Sequence, residues 1–285
     1  MRPFAYERPD RLADAVALLA DAGPRARPLA GGTDLLIRLR DGSLRPEVVV
    51  DVKRIAEIED GIRETDGRLA IGGRTVMTDI AAHPRIRADF RALAEAAAVV
   101  GSAQIRNRAT LAGNICNASP AADTVPSLLV FDATVVVVGP DGERRIPVDE
   151  VFVRSGVTTL RAGELVTAIE LPMPSTRRGS VHLRRTRRRG HDLASVTLAC
   201  SIDAVGVTRL AFGSVGPRPL VRVDPDGDLA TGGEPASALL DRFLAEASPS
   251  PTSMRATPDY RVAMLRVLAE RGITAARERR DEATA

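Results

Sequence analysis

The chain has 285 residues, 44% of them hydrophobic and 27% charged, with a formal net charge of +3. That balance belongs to a globular protein, excludes a disordered chain, and demands no polyanionic partner. Two cysteines and three histidines are too few for a disulfide framework, a cluster held by four thiolates or a histidine-rich zinc centre. Any redox chemistry must then come from a bound organic group or a partner chain. No apolar run reaches the length of a membrane span, and "MRPFAYERPD" has no apolar core of a secretory signal. The expected compartment is the cytoplasm.

In chain order, "DRLADAVALLADAG" predicts an amphipathic helix capped by Asp10, with Leu12, Ala15, Val16 and Leu19 on one face and Gly23 as its stop. "RPLA" predicts a short strand running into "LAGGTDLL", residues 29–36. There Gly31 and Gly32 precede a helix start at Thr33 or Asp34, with Leu35, Leu36 and Leu39 on one side. Glycines before a helix N-terminus allow backbone to close on an anion, and they equally serve a plain strand-to-helix turn. "PEVVVDV" predicts a buried strand, and "GIRETDGRLAIGG" a hairpin turning at Asp66-Gly67. A helical stretch from Ile80 to Gly101, broken near Pro84, leads into a long loop of polar and small residues, "NRATLAGNICNASPAADTVP". A second hairpin, "ATVVVVGPDGERRIPV", turns at Pro140-Asp141-Gly142, and the strand "LVTAIELP" ends at Pro172 before the linker "MPSTRRG".

The segment from Ser180 to Gly216 predicts three strands, "RVDPDGDLATGGEP" a connection, and "ASALLDRFLAEA" and "DYRVAMLRVLAERG" two helices. The charged tail "RERRDEATA" is expected to fray. Helices interspersed with hairpins argue an α+β fold rather than a parallel doubly wound sheet. The run Arg184, Arg185, Arg187, Arg188 and Arg189 reads as a nucleic-acid patch or, given the apolar strand after it, as an arginine-rich strand edge.

The loop from Thr110 to Asp123 carries the most chemistry. Gly113 permits close approach, Thr110 and Ser119 offer hydroxyls, Asn114 and Asn117 offer amides, and Asp123 suits a ribose hydroxyl. Together with residues 29–36 it can wrap a pyrophosphate with backbone amides, or it can simply satisfy its own backbone.

"LAGGTDLL", "QIRNRATLAGNICNASPAADTVPSLLVFDA" and "GELVTAIELP" resemble, in order and spacing, the FAD-binding medium subunit of molybdenum hydroxylases. That family includes xanthine dehydrogenase and aerobic carbon monoxide dehydrogenase. The resemblance runs on through "LAFGSVGPRPLVR" to "TPDYRVAMLRVLAERG" and so covers nearly the whole chain. It implies non-covalent FAD, held first by Leu29, Ala30, Gly31, Gly32, Thr33, Asp34, Leu35 and Leu36. Thr110, Leu111, Ala112, Gly113 and Asn114 would form a second phosphate loop, with Asp123 near the ribose. Leu165 and Val166 would meet the flavin ring with backbone and side chains, and Arg184 would lie near the flavin.

Ala112 stands where relatives usually carry glycine, Arg184 where they carry lysine, and Val100 where some carry an aromatic near the adenine. Cys116 reads as a buried structural thiol, His191 as either a surface or a flavin-proximal residue, and Tyr6 and Tyr260 as packing residues.

By the same resemblance, residues 1–174 form an FAD-binding domain of the vanillyl-alcohol-oxidase (PCMH) type, with subdomains of about 1–55 and 56–174. Residues 178–279 form a small C-terminal α+β domain, and 280–285 the frayed tail. The implied role is electron transfer. Molybdenum cofactor and 2Fe–2S clusters sit only on the partners, a large molybdopterin-binding subunit and a small iron–sulfur subunit, in a dimer of heterotrimers. No side chain here is expected to be catalytic. The competing readings are a stand-alone FAD-dependent oxidase or dehydrogenase and a basic nucleic-acid-binding module.

Overall fold

A computed structural model of the chain describes residues 2–188, 190 and 192–282. Its first three strands, β1 (Ala5–Glu7), β2 (Ala26–Leu29) and β3 (Val48–Asp51), form a wholly parallel sheet in the order β1-β3-β2. Helix α1 (Leu12–Ala22) crosses from β1 to β2 and buries Ala15, Val16 and Leu19. Gly23 ends it at φ 54, as the sequence suggests, but Arg11 rather than Asp10 holds the N-cap position and makes no side-chain cap bond. Helix α2 (Leu35–Arg40) follows the glycine pair. It has fewer than two turns, and of the anticipated face only Leu39 is buried, while Leu36 and Ile37 stay exposed.

The next stretch begins with the hairpin β4 (Ile62–Thr65) and β5 (Arg68–Gly72), then α3 (Met77–Ala82), α4 (Pro84–Asp89), α5 (Arg91–Ala98) and α6 (Ala103–Arg106). The long loop anticipated from Asn107 is half helix: α7 (Leu111–Asn117) and the start of α8 (Thr124–Val130) leave 107–110 and 118–123 as connections. Its alanines, asparagines and proline hide the period in which Leu111 and Ile115 share a buried face. The hairpin β6 (Thr134–Gly139) and β7 (Gly142–Pro147), the short elements α9 (Val148–Val151), β8 (Phe152–Arg154) and β9 (Val157–Thr158), and β10 (Leu165–Pro172) complete this part. Five strands pair antiparallel in the order β4-β5-β10-β6-β7. Beneath them Phe90 and Phe131 meet edge to face, ring centroids 5.2 Å apart.

Strand β10 joins the two cores. Leu165 packs with α1 and β3 residues, whereas Val166 packs in the core under the five-stranded sheet. Ordinary strand alternation turns these two successive residues to different cores, and the register slips just beyond them, between Val166 and Ala168.

Beyond the linker, β11 (Arg178–Arg185), β12 (Val196–Asp203), β13 (Thr208–Gly213) and β14 (Leu220–Asp224) form an antiparallel sheet in chain order. The fourth strand falls in the segment expected to be a connection. It is an edge strand with four of its five residues not buried, so no apolar alternation announces it. Helices α10 (Asp228–Thr231), α11 (Gly233–Ala245) and α12 (Pro258–Asp281) follow.

Alternation divides this sheet. Val196, Leu198, Cys200, Ile202, Leu210 and Phe212 point into a core with α11 and α12. Ser180, Ala199, Ser201 and Ala211 face the other way, onto α5 and α8. The Ser180 hydroxyl accepts from the Ala92 amide at 3.2 Å, and the Ser201 hydroxyl donates to the Val130 carbonyl at 3.3 Å. A Cβ on Gly213 would overlap the Thr197 hydroxyl and come 3.2 Å from Pro126, so this face admits nothing bulkier.

The tail departs from expectation. Arg280 and Asp281 complete α12, and Arg279 bridges Glu95 on α5 at 2.8 Å and donates to the Ser180 carbonyl at 2.6 Å. Residues 283–285 lie outside the described residues.

At the start of β10, Glu164 accepts from Arg144 Nε at 2.7 Å, from Arg144 Nη2 at 2.9 Å and from the Arg161 amide at 2.7 Å, with its side chain only 6% exposed. Hydrogen bonds from Arg144, opposed by burial and aided by the Arg161 amide and both positive charges, hold its carboxyl below the ordinary 4.5. A carboxyl depressed on folding stabilises fully above its unfolded value and loses that contribution as pH falls through its folded value. Glu164→Gln is therefore expected to cost about 1.5–3 kcal/mol at neutral pH, the scale of charged hydrogen bonds. In urea denaturation the gap from the parent chain should close as pH drops below 4.5.

Candidate functional site

The glycine segment leaves β2 at Leu29 and enters α2 at Leu35, with Leu36 in the first turn. Between them, Ala30, Gly31, Gly32, Thr33 and Asp34 make a tight loop in which Gly32 has φ 76 and its carbonyl accepts from the Leu36 amide at 3.0 Å. Neither Thr33 nor Asp34 caps α2 through its side chain. Among the described residues, the amides of Gly31, Gly32, Thr33 and Asp34 find no protein acceptor. A run of amides aimed away from the protein's own carbonyls is a concavity suited to an anion.

Gly31 is required by a protein neighbour. A Cβ there would overlap the Arg108 carbonyl and come 3.1 Å from the Ala109 Cα, so the first loop lies directly on the backbone that leads into the second. Close approach to a ligand, the role anticipated for Gly31, is not what excludes a side chain at this position.

Thr110 caps α7, its hydroxyl accepting from the Gly113 amide at 3.0 Å. The Leu111 amide is tied to the Thr75 carbonyl at 3.2 Å, which anchors the second loop beside β5. Leu111 and Ala112 are buried, while Gly113 is exposed. A Cβ on Gly113 would meet nothing within 4 Å except the Thr110 hydroxyl, at 2.9 Å. Asn114 Oδ1 accepts from the Thr124 hydroxyl at 2.6 Å and joins α7 to α8. The two loops therefore adjoin, with Gly113 exposed beside them.

Asp123, at the N-cap position of α8, is buried. Its Oδ2 accepts from Arg184 Nη1 at 3.1 Å, and its Oδ1 has no hydrogen-bond partner. His182 Nε2 stands 3.8 Å from Oδ1, and both ring nitrogens of His182 are buried without partners. Residues assigned by the sequence to opposite ends of a ligand are thus a contacting pair. Two-residue periodicity puts Ser180, His182 and Arg184 on the β11 face that meets α5 and α8, and α8 presents Asp123 to it. That periodicity was the available signal for His182, which sequence reasoning passed over.

Other expectations resolve differently. Leu165 and Val166 are nearly fully buried, so their side chains fill the two cores. Cys116 lies on the outer side of α7 and is exposed. Tyr6 and Tyr260 are 52% and 40% exposed and act through their hydroxyls, toward Asp51 and from Arg185 Nε. Arg187 and Arg188 pair with Asp192 at 3.9 and 3.5 Å, which leaves the arginine run partly neutralised. Arg189 and His191 lie outside the described residues.

Adjoining loops, the first with free amides and the second exposed at Gly113, and a buried carboxylate oxygen lacking a partner fit a phosphate-linked cofactor with hydroxyl groups. Residues 2–174 match the family described as the FAD binding domain in molybdopterin dehydrogenase, and residues 181–276 the CO dehydrogenase flavoprotein C-terminal domain. The chain is 32% identical over 281 residues to the xanthine dehydrogenase FAD-binding subunit of Escherichia coli O157:H7, covering 95% of each. It is 32% identical over 280 residues to the carbon monoxide dehydrogenase medium chain of Hydrogenophaga pseudoflava, covering 96% of each.

Its fold superposes on that of carbon monoxide dehydrogenase from Hydrogenophaga pseudoflava with a TM-score of 0.89 at 31% identity, over 98% of this chain and 99% of the other. The chain belongs to the family of FAD-binding subunits of molybdopterin dehydrogenases of the xanthine and carbon monoxide dehydrogenase type. It is an oxidoreductase subunit with an FAD-binding domain followed by the C-terminal flavoprotein domain.

The Asp123–Arg184 pair is tested by a double-mutant cycle. Asp123→Ala and Arg184→Ala are each expected to destabilise the chain, because either leaves a poorly solvated charge unpaired. The coupling between them, read from urea midpoints of the two single variants and the double, should be about 1–3 kcal/mol. Additive effects would show that the pair contributes nothing.

Proposed function

We propose that this chain is the electron-transferring subunit of a molybdenum-containing hydroxylase or dehydrogenase, taking electrons from iron–sulfur clusters of a small partner subunit and delivering them to an external acceptor. The contact between the two loops across Gly31 and the Arg108 carbonyl supports the reading, since it sets the free amides of the first loop beside the backbone that leads to Gly113. When bound, FAD supplies reversible acceptance of electrons singly or in pairs, which no side chain of the chain provides.

The residues that hold it would be those of 29–36 and 110–114, with the backbone of Leu165 and Val166 beside the ring. Asp123 would offer its unpaired Oδ1 as an acceptor while Arg184 Nη1 holds its Oδ2 in place. The Arg184 guanidinium, half-buried on β11, adds fixed positive charge where electron density on a flavin is favoured. Thr110 holds α7 so that the Gly113 side of the loop stays open.

The FAD-binding domain would span 1–174, in subdomains of about 1–55 and 56–174, and the C-terminal domain 178–279. The molybdopterin-binding large subunit would select and oxidise the organic substrate. The assembly would be a cytoplasmic dimer of heterotrimers.

Gly113→Asp is the direct test of the loops. The added side chain enters the open side and brings a carboxylate to a site built for phosphates. Flavin absorbance after gel filtration should fall to background, while circular dichroism and melting of the flavin-free protein stay at parent values. Retained flavin would remove residues 110–114 from the site.

A second measurement tests the partners. Co-expressed small and large subunits should co-purify with the chain, and charge reversal at the exposed Arg187 and Arg188 should slow association most at low salt, the signature of electrostatic steering. Turnover of an aldehyde or N-heterocycle by the purified single chain, at rates matching the complex, would replace this reading with a stand-alone oxidase.

A further inference from the structure

A half-open cleft of about 660 Å³ lies where the linker 173–177 passes between α4, α5, the first residues of β11 and the end of α12. Five arginines line it, Arg87, Arg91, Arg177, Arg178 and Arg279, against two carboxylates, Asp89 and Glu282.

Among the described residues, the charges of Arg87, Arg91 and Arg178 are not fully matched. Asp89 is engaged by Arg85, outside the cleft, at 3.2 Å. Arg91 and Arg279 share a single carboxylate, Glu95, at 3.3 and 2.8 Å. Arg178 lies over the Phe131 ring, 5.8 Å from its centroid, and has no carboxylate within ion-pair distance among the described residues. Burial, with nearby Arg209, pushes its guanidinium pKa down, against the pull of Asp132 and Asp203. A partly desolvated guanidinium without a contacting carboxylate carries a cost that an incoming anion relieves.

The cleft is separate from the flavin loops. Arg178 and Arg184 stand at opposite ends of β11, six residues apart and so roughly 20 Å at the rise of a strand. Hydride or electron exchange with a bound flavin is not its use at that separation.

The geometry points to a second ligand site here, for a small phosphorylated molecule held by Arg87, Arg91 and Arg178, with Ser175 and Thr176 of the linker adding hydroxyl donors. The volume suits a small ligand, and planar guanidiniums are matched to phosphate oxygens. An occupant ties α4 and α5 to the linker and to α12, so it stabilises the junction of the two matched domains and acts as an effector rather than a reactant.

The test is calorimetric titration of the FAD-loaded chain with inorganic pyrophosphate, without divalent cations, together with thermal melts. Saturable one-to-one binding and a rise in melting temperature are expected. Arg87→Ala, on an exposed stretch of α4, and Arg178→Ala should each weaken binding by about tenfold or more, the scale of losing a charge-assisted phosphate contact. Flavin content should be unchanged in both.

Because neither residue belongs to the flavin loops, their effect identifies the cleft whether or not flavin is bound. Arg87→Ala keeps the test open if Arg178→Ala fails to fold. Absence of saturable binding, unaltered affinity in Arg87→Ala, or an equal melting rise in sulfate of matched ionic strength would overturn the site.

Discussion

The closeness of the C-terminal sheet to α5 and α8 is the constraint on which the rest of the molecule depends. Ser180, Ala199, Ser201, Ala211 and Gly213 cover the face that meets those helices, and their small size lets backbones approach where larger residues would hold them apart. A bulkier side chain there would cost about 1–3 kcal/mol by overpacking, and it would also lift β11 away from α8. Arg184 reaches Asp123 only because β11 lies that near. The packing of the C-terminal sheet on α8 therefore decides which partner one oxygen of the buried Asp123 carboxylate receives.

A similar economy governs the two loops of the candidate site. The first hangs from a parallel sheet and the second from the turn of helices around α7, so different cores support them. Gly31 against the Arg108 carbonyl fixes their spacing by backbone contact alone, without side chains that could rotate. Leu165 and Val166 add a second tie, since neighbouring residues on β10 are packed into the two different cores. Both ties lie beside the place where a cofactor would sit, which is where relative motion of the subdomains would do most harm.

Much of this was legible in the residues. The hairpins at Asp66-Gly67 and Pro140-Asp141 showed in their turn chemistry, and β3, β6 and β12 showed in unbroken apolar runs. The helices α7 and α8 did not, because alanine, asparagine and proline give no hydrophobic period even where Leu111 and Ile115 share a face. Strand β14 was hidden for the opposite reason: its side chains are mostly on the surface. Its last residue, Asp224, is buried because it accepts from the amides of Asp226, Gly227 and Leu229, a role that reads as a turn in sequence. The two glycine-containing loops were visible as motifs, but a motif does not show what lies across from it. The contact of Gly31 with Arg108 and the pairing of Asp123 with Arg184 join segments 77 and 61 residues apart, and only tertiary structure supplies them.

The bond between Arg279 and Glu95 spans 184 residues of chain. On a ribosome, the chain must emerge through Arg279 before that bond can form, and α12 emerges after every other described helix. The FAD-binding half can fold while the remainder is still being made, but it does so with the α5 and α8 face bare. The four-stranded sheet in turn waits for α12 to cover its other side. During that interval an apolar surface is open to the cell, and the chain is most exposed to misassembly. A truncation that removes only the last turn of α12 would prolong that interval, so its effect should be larger on the yield of native protein than on the properties of the molecules that do mature.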